Sequence, residues 1–228
     1  MKNLFENWRK YLTETIDPRI QKQIDMLLTV PDVAVMVTGE YSFGQAFRYV
    51  LVTEVEGKKQ YKDLVSSTDG VIDGRQLPWG MVEIMTPDGE DDGDCLGGWV
   101  VISSEAQRGW GPLLYDIALE WASQNGGGLT ADRISVSKYA TAVWDKYSQR
   151  GDVSKSQLDI YKGTRVPDDL KDKIKQITPD EEGDDCNQRN PIRRDGENWK
   201  DNSLSKMYKK EKPEVMQALK AAGRLIVV

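Results

Sequence analysis

Apolar and polar residues follow an ordered pattern between residues 95 and 147. Residues 99–102 are apolar and rich in β-branched side chains, as in a strand that is buried on both faces. A turn with two glycines follows this run. Apolar residues then recur with the period of a helix, at Leu113, Leu114, Ile117, Ala118 and Trp121. Three glycines from position 126 end that helix, and a short β-run and a second helix come next. The stretch therefore predicts the order β-α-β-α.

Two helices are predicted before this stretch. Residues 1–14 place apolar side chains on one helical face, which is typical of a helix that docks on a domain; they are Leu4, Phe5, Trp8 and Leu12. Pro18 opens the second helix, and Pro31 ends it. Its apolar side is formed by Ile20, Ile24, Leu27 and Leu28.

Three strands are predicted between the second helix and residue 95. Residues 33–37 and 47–52 are apolar runs on either side of a polar, glycine-containing turn region. Residues 81–85 form the partner strand that we expect beside residues 99–102. The acidic segment 87–94 lies between these two strands, and we interpret it as a solvated hairpin tip. Its carboxylates are also of the kind that binds calcium, but the spacing of an EF-hand is missing.

The pattern becomes weaker after Asp152. Residues 168–177 predict a short charged helix, and residues 179–200 predict a loop or a partly disordered insert. A group of lysines follows, and we expect it to form a solvated face, with a phosphate contact as the alternative; the group is Lys206, Lys209, Lys210 and Lys212. Pro213 starts a last helix that Gly223 ends, and residues 225–228 predict a final buried strand.

Composition limits the classes of function. The chain has 39% apolar residues and seven tryptophans, which is enough for a sizeable core. Its net charge of −6 gives no broad attraction to nucleic acid or to anionic lipid. No apolar run approaches the about 18 residues of a membrane span, and the N-terminus lacks the apolar centre of a signal peptide. We therefore expect neither a nucleic-acid nor a membrane partner, and a cytoplasmic location.

Cysteine and histidine usage restricts the chemistry further. Cys95 and Cys186 are the only cysteines, too few for a structural zinc site, and we expect both to be reduced thiols. The chain contains no histidine, which excludes Ser-His and Cys-His nucleophilic devices and makes a metal site unexpected. A general base must then be a carboxylate, a lysine or an ordered water. Direct attack by an amine on an acyl donor is compatible with this restriction.

The turn before the first helix has the composition of an anion site. Gly109 and Gly111 leave backbone N–H groups uncovered, and Pro112 suits a helix start. Free amides and the positive end of the helix dipole then meet at one point, where a phosphate or pyrophosphate would bind. The alternative is a tight strand-to-helix turn without a ligand.

These residues resemble a known family. Arg108-Gly109-Trp110-Gly111 after a strand is similar to the Arg/Gln-x-x-Gly-x-Gly/Ala signature of the GNAT acyltransferases, whose amides bind the pyrophosphate of acetyl-CoA. Residues 137–147 resemble the helix that follows in that family. The segments GWGPLLYDIALEWA and GGGLTADRISVS resemble sequences of phage-encoded members of the family. The resemblance implies an α/β (α+β) fold in which helices flank a mixed, mostly antiparallel central sheet.

The resemblance also implies a function. It predicts an acetyl-CoA-dependent N-acyltransferase that acts on an unknown amine, with acetyl-CoA as co-substrate. The implied cofactor-binding residues are Val101, Ile102, Ser103, Arg108, Gly109, Trp110, Gly111 and Leu113. Leu113 stands where the family has a small residue, and Trp144 stands where it often has the tyrosine that acts as general acid. We therefore expect Tyr147, one turn further on, to be the acid and Glu83 to be the base.

We also expect three regions along the chain, and we consider one alternative function. Residues 1–30 form an N-terminal helical segment, residues 31–165 a GNAT-like acyl-CoA-binding core, and residues 166–228 a charged C-terminal extension with a terminal helix and strand. Residues 1–14 also resemble the removable peptides that direct proteins into phage proheads, which end like Leu12-Thr13-Glu14. The alternative is a non-catalytic GNAT-like phage accessory, packaged in or associated with the virion.

Overall fold

The computed structural model of the chain describes residues 16–40, 44–87, 93–132, 135–160, 183–186 and 199–228. The α-helices of these residues are α1 (Pro18–Thr29), α2 (Gly111–Asn125), α3 (Lys138–Gln149) and α4 (Glu214–Ala221). The strands are β1 (Val33–Glu40), β2 (Gly44–Val55), β3 (Lys58–Leu64), β4 (Val71–Ile72), β5 (Arg75–Gln76), β6 (Gly80–Met85), β7 (Gly98–Ala106), β8 (Gly128–Thr130), β9 (Ser154–Gln157), β10 (Asp159–Ile160), β11 (Asp185–Cys186), β12 (Lys206–Lys209) and β13 (Leu225–Val227). Single 3₁₀ turns occupy Cys95–Gly97, Trp199–Asp201 and Ser203–Ser205.

Nine of the strands form one mixed sheet. Hydrogen-bonded neighbours follow the order β13-β1-β2-β6-β7-β8-β12-β9, and β3 pairs with β2. Most pairs are antiparallel, whereas β1 with β13 and β7 with β8 are parallel. The four helices flank this sheet, so the α+β class expected from the sequence is confirmed. The prediction that residues 99–102 form an inner strand beside residues 81–85 is also confirmed, because β7 lies between β6 and β8.

The described residues fall into two compact units along the chain. The first unit comprises the described residues within Met1–Glu83, Ser103–Glu120 and Lys212–Val228, and the second comprises those within Ile84–Ile102 and Trp121–Glu211. In the first unit, β1 pairs with β2 over the whole length of β1, from Val33 opposite Leu51 to Glu40 opposite Gly44. Helix α1 buries the apolar side that its sequence predicts.

The C-terminal strand of the first unit is an edge strand. β13 pairs with β1 in parallel, with Val35 opposite Leu225. Val227 is 65% exposed, so the prediction of a buried final strand is wrong in its burial, although the strand itself is present. An edge strand of a sheet keeps one side open to water, and its apolar composition alone does not reveal this.

The sequence patterns also missed a hairpin. β2 continues to Val55, and a two-residue turn with positive φ at Glu56 and Gly57 leads into β3. Nearly all of β3 is exposed, so its composition is polar and lacks the alternation on which strand prediction depends. The Glu-Gly pair at the turn was the available signal, because both turn residues need φ above zero.

The lysine group is not simply a solvated face; three of its members, Lys206, Lys209 and Lys210, belong to the second unit. β12 lies between β8 and β9. Tyr208 is fully buried and donates a hydrogen bond to the Ser203 carbonyl at 2.6 Å, and Lys210 is only 1% exposed. The expectation is therefore wrong for Lys210, while Lys209 is exposed. Lys210 directly follows β12, and its N–H donates to Oγ of the buried Ser123 on α2 at 2.9 Å, so the chain stays packed beyond the end of the strand.

The two cysteines form a disulfide, so the expectation of reduced thiols is wrong. Cys95 and Cys186 are both fully buried, and their Cα atoms are 4.5 Å apart although 91 positions separate them in sequence. They pack with Leu158 and Met207. A hydrogen bond from the Leu96 N–H to the Gly183 carbonyl (2.6 Å) holds the two cysteine segments together, and Cys186 on β11 pairs with Ile160 on β10.

Several expectations fall outside the described residues. They are the N-terminal helix and peptide of residues 1–14, the acidic tip at residues 88–92, the helix at residues 168–177 and most of the insert at residues 179–200. The boundaries at residues 30 and 165 stay a prediction. Among the described residues, no helix has both the length and the hydrophobicity that a membrane crossing needs.

Candidate functional site

The strand, turn and helix that the sequence singles out are continuous in the structure. β7 ends at Ala106, residues 107–111 form a turn, and α2 begins at Gly111. We call residues 107–111 the glycine turn. β7 and β8 are parallel, and their pairing runs from Gly98 opposite Gly128 to Val100 opposite Thr130. β7 therefore continues beyond the end of β8. Along this continuation Val101 is buried, whereas Ile102 is 46% exposed and Ser103 is exposed.

The carbonyl groups of the glycine turn are occupied by hydrogen bonds. The Gln107 carbonyl accepts from the Trp110 N–H at 2.9 Å. The Gly109 carbonyl accepts from Nε2 of Gln23 on α1 at 2.6 Å. The Trp110 carbonyl accepts from the Tyr49 hydroxyl on β2 at 3.0 Å. Three carbonyls of the turn are thus held by a donor, and two of the donors are side chains from distant parts of the chain.

Two of the five N–H groups of the same turn are hydrogen-bonded within the described part of the chain. The Gln107 N–H donates to the Trp79 carbonyl at 3.0 Å, and the Trp110 N–H bonds within the turn. Within the described part of the chain, the N–H groups of Arg108, Gly109 and Gly111 have no hydrogen-bond partner. The first N–H groups of a helix also lack intrahelical partners and carry partial positive charge. The turn therefore offers donors without acceptors, which is the arrangement of an anion site.

The backbone of the turn leaves room for a ligand. Gly109 has φ of 92°, and a Cβ atom there would meet nothing within 4 Å. A Cβ atom on Gly111 would meet only the Cβ of Ala106, at 3.5 Å. Arg108 is exposed, and no ion pair of its guanidinium occurs among the described residues. A guanidinium and open amides at one helix start together attract a phosphate group.

The turn is anchored by an aromatic pair. Trp110 is 8% exposed and meets the Tyr49 ring edge to face, with 5.7 Å between the ring centroids. Burial raises the pKa of the Tyr49 phenol, so the hydroxyl stays protonated and donates to the Trp110 carbonyl. Trp110, expected to bind the cofactor, therefore fixes the turn from the inside with its side chain.

The side chain of Leu113 does not block the glycine turn. Its side chain is fully buried in the first unit, so it does not lie on the exposed side of the glycine turn. The larger side chain at this position of the family signature is thus accommodated by the core.

The two expected catalytic residues have different surroundings. Glu83 is half-buried on β6. Tyr147 on α3 is 3% exposed, with its ring centroid 5.8 Å from those of Trp144 and Tyr208. The Arg150 guanidinium lies over the Tyr147 ring at 5.2 Å. Tyr147 is therefore a core aromatic residue in the structure, and the catalytic roles of both residues stay predictions.

The sequence patterns did not identify Gln23 and Tyr49, which lie on other elements and hold the glycine turn through hydrogen bonds. Gln23 lies on the buried side of α1 with Ile20 and Ile24, and a polar residue on an apolar helix face was the available signal. Tyr49 gave no such signal, because an aromatic residue is ordinary in a strand. The structure also pairs the hydroxyl of Tyr115 with Oγ of Ser104 at 2.9 Å, beside the end of β7.

Among the described residues, no group of three or more acidic, cysteine or histidine side chains is arranged to hold a metal ion. No protein-family model, curated protein or solved structure matches the chain.

Proposed function

We propose that the protein is an acetyl-CoA-dependent N-acyltransferase that acts on an amine. The observation that carries the proposal is the hydrogen bonding of the glycine turn, where three carbonyls are occupied and the N–H groups of Arg108, Gly109 and Gly111 are left over. A pyrophosphate supplies the acceptors that these donors lack. The resemblance of this turn to the GNAT signature supports acetyl-CoA as the carrier of that pyrophosphate.

The proposed reaction needs little covalent chemistry from the protein. The pantetheine arm would lie along β7 at Val101, Ile102 and Ser103, in the manner of an added strand. The neutral acceptor amine attacks the thioester carbonyl, forming a C–N bond, and its nitrogen gives up a proton to Glu83 or to water. The C–S bond then breaks, and the thiolate takes a proton from Tyr147 or from water. Positioning and polarisation would supply most of the rate.

Thermal unfolding with acetyl-CoA tests the binding step. At a hundredfold excess over Kd, the ligand should stabilise the fold by about 2.7 kcal/mol. Gly111→Val should abolish the shift, because the side chain fills the place where phosphate oxygens approach. Gly151→Val is the matched control, since a Cβ atom on Gly151 meets nothing within 4 Å. An unchanged melting temperature of the wild type in millimolar acetyl-CoA would refute the proposal.

Release of free thiol from acetyl-CoA in the presence of amines tests the chemical step. Tyr147→Phe should lower kcat by roughly 10²-fold while leaving the affinity for CoA intact, if the phenol protonates the thiolate. An active enzyme that is indifferent to this substitution would assign the proton to water.

A second candidate function is a non-catalytic, acyl-CoA-binding accessory protein of a phage particle. The enclosure of Tyr147 by Trp144, Tyr208 and Arg150 favours it, because a buried phenol has little surface to offer to a thiolate. Binding of acetyl-CoA without thiol release, across a panel of small amines and lysine peptides, would select this function over the first.

The location of the protein in the cell or in a particle is also part of what we propose. Of the two locations considered from the sequence, the cytoplasm and a virion, the disulfide between Cys95 and Cys186 supports the virion. The cytosol keeps thiols reduced, whereas surfaces and particles outside it allow disulfides to persist. Cells lysed in an alkylating agent and analysed by mass spectrometry test this, and two alkylated cysteines in the mature protein would contradict it.

A further inference from the structure

We propose that Gln23 contacts the ligand of the glycine turn and selects acetyl-CoA over a bare pyrophosphate. Its Nε2 positions the turn, and its Oε1 accepts a hydrogen bond from an N–H or O–H group that the ligand carries beside its anionic group. This inference rests on the proposed function and adds a recognition residue from α1, far from the signature in sequence.

The orientation of the Gln23 amide is fixed by its one hydrogen bond. Nε2 donates to the Gly109 carbonyl at 2.6 Å. The flipped amide would place Oε1 against that carbonyl, and two acceptors do not bond each other. Oε1 therefore points away from the carbonyl, and among the described residues it has no hydrogen-bond partner although it is buried. The whole side chain is only 9% exposed.

A purely structural role would not use this oxygen. Holding the Gly109 carbonyl requires only Nε2, and the neighbouring buried positions of α1, Ile20 and Ile24, are apolar. A buried acceptor without a donor is unfavourable, so buried polar atoms are nearly always paired. A donor that arrives with the ligand removes this penalty.

Gln107 presents a second acceptor of the same kind in the turn itself. Its Oε1 is also buried without a partner among the described residues. The region thus combines open N–H groups, which need an anion, with amide oxygens, which need donors. Acetyl-CoA carries both, because a hydroxyl and an amide N–H follow its pyrophosphate along the pantetheine arm. Inorganic pyrophosphate at neutral pH supplies the anion with almost no donors.

Calorimetric titration of two ligands against three proteins tests the inference. The ligands are acetyl-CoA and inorganic pyrophosphate, and the proteins are the wild type, Gln23→Met and Gln21→Met. Methionine has a similar volume and no hydrogen-bonding amide. Gln21 is the matched control, because its Oε1 is also buried without a partner among the described residues, whereas its Nε2 bonds to Asp25 of the same helix and not to the glycine turn.

Gln23→Met should weaken acetyl-CoA binding about tenfold and pyrophosphate binding about threefold or less, as expected for the loss of one buried hydrogen bond. Gln21→Met should leave both affinities unchanged. Equal losses for the two ligands in Gln23→Met, or losses no greater than in Gln21→Met, would overturn the inference and leave the proposed function standing. A wild type that binds no acetyl-CoA would overturn the proposed function itself.

A second variant covers the case in which Gln23→Met does not fold. Gln23→Glu keeps acceptor oxygens but replaces the donor and adds a negative charge beside the anion site. It should weaken pyrophosphate binding at least as much as acetyl-CoA binding, the reverse of the order in Gln23→Met. A larger loss for acetyl-CoA than for pyrophosphate in this variant would contradict a role for Oε1 as the acceptor.

Discussion

Helices α2 and α4 begin in opposite ways. At the start of α2, the N–H groups of Gly109 and Gly111 have no partner within the described part of the chain. At the start of α4, the N–H groups of Val215 and Met216 donate to the two carboxylate oxygens of Glu120, at 2.9 and 2.8 Å. Glu120 is fully buried and belongs to α2. One helix therefore has N–H groups without partners, within the described part of the chain, at its own start and supplies an internal anion to the start of another.

The difference follows from burial. Val215 at the start of α4 is fully buried, so water cannot reach its N–H group and the chain must provide an acceptor. Arg108 and Gly109 are exposed, so water or a ligand can satisfy the N–H groups of the glycine turn. The same dipole acts at both helix starts. Whether a helix start binds a ligand thus depends on whether the fold has already filled it.

We expect the largest effect on stability from removal of the disulfide. This variant tests whether the difference between the two helix starts is independent of the stability of the whole fold. Replacing both Cys95 and Cys186 with alanine should lower the free energy of unfolding by about 4 kcal/mol, because the disulfide closes a long loop of the unfolded chain. Urea unfolding measures this loss. The Kd for acetyl-CoA should not change in the folded variant, since neither helix start loses a contact. A weakened affinity would show that the open site depends on global stability.

Glu120→Ala should remove the acceptor of the N–H groups at the start of α4. We expect a loss of about 3 kcal/mol in urea unfolding, because two charge-assisted hydrogen bonds disappear and the buried N–H group of Val215 and the partly buried one of Met216 lose an acceptor. Glu54→Ala, an exposed glutamate on β2, is the control and should change stability by less than about 0.5 kcal/mol. If the two variants were equally stable, the carboxylate would not be what satisfies α4.

Gly109→Ala should strain the open helix start without filling it. The cost should be about 1 kcal/mol, because φ of 92° is unfavourable for a residue with a Cβ atom. Gly151→Ala has neither a positive φ nor a neighbour within 4 Å and serves as the control. Chemical denaturation compares the two variants, and an equal effect would mean that the turn does not have the conformation that exposes its amides.

Arg108→Ala should have the smallest effect on stability and a clear one on binding. The side chain is exposed, so the free energy of unfolding should stay within about 0.5 kcal/mol of the wild type. The Kd for acetyl-CoA should rise about tenfold through loss of a charge-assisted contact. Arg75→Ala, an exposed arginine on β5, is the control for net charge. Equal affinities for both variants would remove Arg108 from the site.

Local patterns were sufficient for much of the fold. Pro18 and the apolar period of α1, the apolar run of β7 and the three glycines after α2 are signals that act within a few residues. They predicted those elements because helix starts, helix ends and buried strands are stabilised by near neighbours. Where burial depends on the whole sheet, the same signals were insufficient: they predicted β13 but not its exposure, and they did not predict β12 at all.

The sequence by itself determined that a glycine-containing turn would connect an inner strand to a helix, since both glycines and the periods around them are local. Only the tertiary structure decided which atoms of that turn remain for a ligand. The bond from Gln23 to Gly109 spans 86 positions, and the bond from Val215 to Glu120 spans 95. Such contacts depend on the path of the chain, which places donors and acceptors together only after the sheet has formed. No local sequence pattern predicts these contacts, because each of the residue types involved also occurs in many other environments.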